Sequence, residues 1–194
     1  MSAPRCTADA LDWDAWIETV RLADATPEQV AVLEKSLPTA KTSPYYLLLV
    51  HDVEALSQRS SLFNAVMYGP RGLPRAEREL ATVAVSVING CPYCVSVHAR
   101  RFIELTKQPE VMGRLLDEGL EAPLDARRRA IVDFSAKLTR APERLTAADL
   151  APLRAVGLSD LEILDVVHAA AMFAWANRLM QTLGEPVAPT KAGA

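Results

Sequence analysis

Asn89-Gly90-Cys91-Pro92-Tyr93-Cys94-Val95-Ser96-Val97-His98 is the stretch on which the reading of this chain turns. It holds two of the three cysteines and one of the three histidines. Two thiols at this spacing can close a disulfide, and a histidine four residues after the second can share its helical face and take its proton. Asn89-Gly90 breaks a helix and restarts the chain, so the thiols are expected at a helix N-terminus, where the dipole favours thiolate over thiol.

The segment upstream reads as a helix from Pro74, with Leu80, Val83, Ala84, Val87 and Ile88 at the spacing of one buried face. Only residues 82–88 are β-branched enough to suggest a strand, and their flanks argue against it. Glu79, Thr82, Ser86 and Asn89 form a thin polar line on this helix. Such a line is most often a solvent-facing edge. Geometry allows more. If the chain turns back at Asn89-Gly90, Glu79 lies roughly 16 Å before the turn and His98 roughly 12 Å after it, at about 1.5 Å per residue. The mismatch is within a glutamate's reach. Glu79 could then orient His98 and His98 serve Cys94: an orienter, a base and a nucleophile on two helices.

Further out, helical periodicity covers nearly the whole chain. Helices are expected over about 27–37, 44–56, 57–68, 91–106, 109–118, 125–138, 146–156 and 160–183. Thr26-Pro27 and the capping box Ser159-Asp160-Leu161-Glu162 mark two of the starts. No repeat, low-complexity run or linker divides the chain. With 194 residues, 50% of them hydrophobic, one domain with a sizeable core is the simplest reading. The expected division is an arm and first helix (1–43), a helical domain (44–184) and a flexible tail (185–194). A net charge of −3 gives no general attraction to nucleic acid, and Arg127-Arg128-Arg129 reads as a solvated helix face. The N-terminus lacks the apolar run of an export signal. The longest nearly apolar segment, residues 163–176, is interrupted by Asp165 and His168 and is too short to span a bilayer. A cytoplasmic protein without a membrane partner is expected, with thiols that serve chemistry rather than stapling.

Glu79, then twelve residues on Cys91-x-x-Cys94, then His98, resembles the signature of alkylhydroperoxidase D-like proteins in the carboxymuconolactone decarboxylase superfamily. Residues 73–94 look most like a branch of uncharacterised peroxidase-related enzymes, and the similarity runs over about 44–184, including Asn177-Arg178-Leu179. The resemblance implies an all-α, single-domain helical bundle that assembles into homotrimers or hexamers. It implies an antioxidant peroxidase that works on a small hydroperoxide without haem, metal or other cofactor. In that scheme Cys94 is the peroxidatic thiol and Cys91 the resolving one, Glu79 and His98 relay the proton, and an external dithiol or thiol reductant resets the pair. Spacing agrees on Cys94, which lies four residues from His98 where Cys91 lies seven. One departure is Tyr93, where the best-known members carry a second histidine; a phenol holds its proton too tightly to relay it easily near neutral pH.

Other readings stay open. The same cysteines suit a disulfide-exchange or redox-sensing protein without efficient peroxide turnover. Two cysteines and His98 could bind zinc, with Glu79 or His168 as fourth ligand. The decarboxylase branch lacks this thiol pair, so Cys91 and Cys94 argue against it. Cys6 is read as a bystander, His51 and His168 as core or interface histidines, and Trp13, Trp16 and Trp175 as packing residues. The last helix is apolar nearly all round, which requires burial on more than one side and points to a homo-oligomer.

Overall fold

Side-chain caps set four of the nine α-helix starts described in the computed structural model, which covers residues 6–189. Thr26 and Gln29 close a reciprocal capping box and Pro27 takes the first position of α1 (Pro27–Ser36). After α2 (Pro44–Leu49), Asp52 accepts the Ala55 amide at 2.9 Å and opens α3 (Val53–Tyr68). That cap places the break at residues 50–52, ahead of the expected division between 56 and 57. Next come α4 (Arg75–Ile88), α5 (Pro92–Thr106), α6 (Pro109–Asp117) and α7 (Ala126–Arg140). The helix expected over 146–156 is a 3₁₀ turn at Ala147–Leu150 running into α8 (Ala151–Ala155). Ser159 and Glu162 close the box that opens α9 (Asp160–Thr182). The fold is all-α, as the sequence led us to expect.

Helix α4 lies at the centre, packed against α5, α7 and α9, and every residue from Arg78 to Ser86 is buried. The polar line is therefore no solvent edge: Glu79, Thr82 and Ser86 have no exposed surface. Arg78 donates to the Val66 and Gly69 carbonyls at 2.9 and 3.0 Å and fixes the turn into α4. Arg127 forks onto Glu77 at 2.7 and 2.9 Å and reaches Glu162 at 3.1 Å, tying α7 to α4 and α9. Arg129 caps the Leu120 and Ala122 carbonyls. The arginine run is thus a cross-link between elements, and the expectation of a solvated face is corrected.

Near the two ends of the described chain lies a further feature that the periodicity missed. A short strand, β1 (Asp12–Ala15), pairs antiparallel with β2 (Gly184–Val187), with Trp13 opposite Pro186. Residues 185–187 are thus strand rather than loose tail; residues 190–194 lie outside the described residues. Trp13 is buried, and its indole N–H donates to the Met180 carbonyl at 3.0 Å. With Leu33, Ala40, Tyr45 and Tyr46 it packs in the apolar cluster that covers Cys91 and Cys94. The arm that precedes the helical domain therefore forms the roof of the thiol pair.

Gly184 permits this closure, because a Cβ there would run into the Asp14 carbonyl oxygen and the Trp13 ring. Overpacking of this kind costs about 1–3 kcal/mol. Gly184→Ala should lower the melting temperature and speed iodoacetamide labelling of the thiols beneath Trp13. Unchanged melting and labelling would refute this roof. Among the described residues no helix is long and apolar enough to cross a membrane.

Candidate active site

Two backbone hydrogen bonds place the thiols. Gly90, at φ 65°, sends its N–H to the Val87 carbonyl at 3.2 Å, and Cys91 sends its own to Ser86 at 2.9 Å. This left-handed ending satisfies the last carbonyls of α4. It also leaves Cys91 as the N-cap of α5, with Pro92 in the first position and Cys94 in the first turn. Both cysteines are free thiols, 1% and 4% exposed. They lie within hydrogen-bonding reach of each other, and the Asn177 carboxamide from α9 reaches both.

The two thiols titrate as a unit. The hydrogen bond from Cys94 draws the Cys91 thiol below its ordinary value, against burial. The same bond holds Cys94 well above it, and burial adds to the effect. The first ionisation of the pair is thus favoured and the second disfavoured, with one negative charge shared between two hydrogen-bonded sulfurs. Asn177 favours thiolate at both sulfurs and is itself wholly buried. It donates to Ser86 Oγ at 3.1 Å and accepts from Asn89 Nδ2 at 3.0 Å. The lower half of the polar line on α4 is thus the seat of the residue that touches the thiols.

Its upper end is the acid–base half. Glu79 is fully buried; its Oε2 meets His98 Nδ1 and its Oε1 accepts from Arg75 Nε at 2.6 Å. Burial opposes an ionised Glu79, but His98 and then Arg75 outweigh it and hold the carboxyl below the usual carboxylate range. A carboxylate on Nδ1 fixes the imidazole tautomer with its proton there and leaves Nε2 as the acceptor. The His98 ring stands edge-on to Phe173, centroids 4.3 Å apart. Arg75 stacks over Tyr68 at 3.9 Å.

A cavity of about 170 Å³ joins the two halves. Cys94, His98 and Tyr93 line it, with Tyr45, Tyr46 and Arg59 from α2 and α3 opposite. Cys91 lies behind Cys94 and does not line the cavity. Glu79 and His98 are in contact, as are the two thiols. Among the described residues no hydrogen bond joins His98 to Cys94; the two share the cavity one helical turn apart. The Tyr93 phenol is pushed up, first by burial and then by Cys94, and so stays a proton donor.

The remaining candidates lie apart. His51 is exposed and bonds the Glu18 carbonyl at 2.8 Å, and His168 is exposed on the outer side of α9, so neither is a core histidine. Trp13 packs, whereas Trp16 and Trp175 are exposed. Among the described residues no three His, Cys, Asp or Glu side chains are placed to hold a metal ion. Cys6 is close enough to Cys91 for that thiol to raise its pKa, after burial. Sequence reasoning gave no site role to Asn177, which it quoted only within Asn177-Arg178-Leu179, or to Arg75, Arg59 and Tyr45. Only Arg75 carried a local signal, its four-residue spacing from Glu79 on one helix face.

The carboxymuconolactone decarboxylase family matches residues 54–119. An uncharacterized peroxidase-related protein from Silicibacter sp. TM1040 is 31% identical and superposes with a TM-score of 0.69 over 86% of this chain and 91% of that one. A second, from Ralstonia eutropha JMP134 and described as an alkylhydroperoxidase AhpD core, is 27% identical with a TM-score of 0.70 over 86% and 91%. The debrominase Bmp8 shares the fold alone, at 15% identity and a TM-score of 0.68 over 85% and 88%. No curated protein shows significant sequence similarity to the chain.

Proposed function

Because the chain belongs to the carboxymuconolactone decarboxylase superfamily, with the alkylhydroperoxidase D-like peroxidase-related proteins, we propose that it is a thiol-dependent hydroperoxide reductase acting through Cys94. The observation that carries this reading is the shared cavity: Cys94 and His98 both open into it, and Glu79 holds the far side of the imidazole. His98 Nε2 takes the Cys94 proton, through one water where direct contact is absent. The thiolate attacks the distal peroxide oxygen, the O–O bond breaks, and the leaving alkoxide takes the proton back from His98 as an alcohol. Cys91 then attacks the Cys94 sulfenic acid, forming the disulfide and releasing water. Two electrons from an external dithiol or thiol pair restore the thiols, which suits a reducing compartment such as the cytoplasm.

Mass spectrometry after one equivalent of cumene hydroperoxide tests this reading. The expected result is loss of two hydrogens, mapped to a Cys91–Cys94 disulfide. Thiols that stay reduced through a full equivalent would overturn it. A second reading, a thiol–disulfide switch without fast turnover, draws on the retained proton of Cys94. Under it the disulfide forms, but peroxide consumption does not outpace that of a free thiol.

We also propose self-association. Leu161, Leu164 and Trp175 are 50%, 52% and 44% exposed along one stripe of α9, with Ala171 between them. Exposed His168 lies on the same face between Leu164 and Ala171, and a row of large apolar side chains left uncovered on a monomer marks an interaction surface. Light scattering at micromolar protein should return a homo-oligomer, by family resemblance a trimer or hexamer, and Leu164→Glu with Trp175→Glu should dissociate it. A monomeric wild type would refute this.

A further inference from the structure

Arg59 projects from α3 into the cavity that holds Cys94 and His98, and it is 8% exposed. Its guanidinium lies among rings, 4.8 Å from the centroid of Phe63 and 5.0 Å from that of Tyr46. Nη1 donates to Tyr46 Oη at 2.8 Å, but the buried Nε–H has no acceptor. The other two arginines of the cavity are neutralised, Arg75 by Glu79 and Arg101 by Glu104. Among the described residues no carboxylate pairs with Arg59. Tyr45 lies on the same side, its ring centroid 5.7 Å from the guanidinium; its hydroxyl is buried beside Arg59 without a well-formed hydrogen bond, and burial raises its pKa against the opposing pull of Arg59, so it remains a donor.

A buried charge without a counter-ion is costly, and ring faces compensate it only in part. They leave the guanidinium charge without a counter-ion, and the buried Nε–H and neighbouring Tyr45 O–H without well-formed hydrogen bonds. The Cys94 thiol is not its partner either: among the described residues the hydrogen bond of Arg59 goes to Tyr46, and none joins it to Cys94. We propose that Arg59 and Tyr45 form a subsite for a carboxylate on the substrate, so that the preferred substrate is a small organic acid carrying the reactive group. A planar monoanion matches a guanidinium edge and one hydroxyl, where a phosphate dianion would leave a charge unmatched. The rest of the wall includes Leu37, Phe173 and Met180, and a volume of about 170 Å³ suits a single ring. Engineered cavities of about 150 Å³ hold benzene. That the reactive group is a hydroperoxide rests on the function proposed above; the subsite does not.

The test uses the reduced full-length protein and two sets of probes. In the first, para-isopropylbenzoate and its methyl ester compete with iodoacetamide for Cys94. Protection by the acid at a concentration at least about tenfold lower than the ester is expected, and Arg59→Met or Tyr45→Phe should diminish the difference. Equal protection, or none by the acid, would overturn the subsite. These wild-type measurements decide the matter even if Arg59→Met fails to fold. In the second set, cumene hydroperoxide, its para-carboxylate and the methyl ester of that acid oxidise the thiols. A carboxylate preference of about tenfold or more supports both proposals. Equal rates with all three overturn the subsite and leave the peroxidase standing. If the benzoate protects but no hydroperoxide oxidises the pair, the subsite stands and the peroxidase falls.

Discussion

Cys94→Ser is expected to abolish reaction with hydroperoxide, whereas Cys91→Ser should react once and stop. The asymmetry follows from access: both thiols are buried and in contact, but only Cys94 lines the cavity. Without Cys91 the Cys94 sulfenic acid has no partner to condense with, so dimedone should trap it and excess peroxide should carry it to sulfinic acid. The pair also predicts a pH effect. The hydrogen bond to Cys91 is the largest influence holding the Cys94 proton on. In Cys91→Ser the neighbour can donate to the Cys94 thiolate but no longer competes with it for the negative charge. The midpoint of Cys94 alkylation against pH should therefore fall relative to the second step of the wild-type pair. A dead Cys91→Ser beside a Cys94→Ser that forms sulfenic acid would reverse the roles assigned here.

Much of this arrangement was legible because helix boundaries are written locally. Thr26-Pro27, Ser159 with Glu162, and Asn89-Gly90 each satisfy backbone groups within their own turn, so the residues themselves carry the information. The Glu79–His98 contact was legible for a related reason. A helical hairpin with a fixed turn makes partners of residues at similar distances from it. What failed was whatever depends on a distant element. β1 and β2 have only four residues each, carry charge, and meet across most of the chain, so neither alternation nor a turn signal betrays them. Periodicity identified the Glu79–Thr82–Ser86 face but not its surroundings, which α5 and α9 supply through His98 and Asn177. Arg59 looked like any other arginine on a mixed helix; only the packing of α2 and α3 over the cavity buries it. Trp16 and Trp175 mislead in the opposite direction, being large and apolar yet uncovered in the single chain.

The relay makes the second large prediction. Glu79→Gln should cut the rate of peroxide consumption by about 10²–10⁴-fold, the usual worth of a positioned general base. The glutamate accepts on both oxygens, from Arg75 on one and from His98 on the other. An amide has one acceptor and turns a donor toward the remaining partner. Either His98 loses the contact that fixes its tautomer, or Arg75 loses its counter-ion; both outcomes remove the negative charge that stabilises an imidazolium at His98. The substitution should also cost about 1–3 kcal/mol of stability, as for an unsatisfied buried polar group. Rates must therefore be compared at a temperature where circular dichroism shows both proteins folded. The acid side supplies an independent sign. Glu79 has its carboxyl held below the ordinary range, so its contribution to stability is present above that range and is lost as pH falls through the lowered value. In Glu79→Gln that part of the acid unfolding profile should disappear. Tyr93→His, which adds a relay group at the cavity wall, should raise the rate where proton transfer limits it. If Glu79 only neutralises Arg75 and braces α4, the Gln variant will lose stability and keep its rate. Peroxide consumption and Cys94 alkylation unchanged across pH in a folded Glu79→Gln protein would then remove His98 from the chemistry.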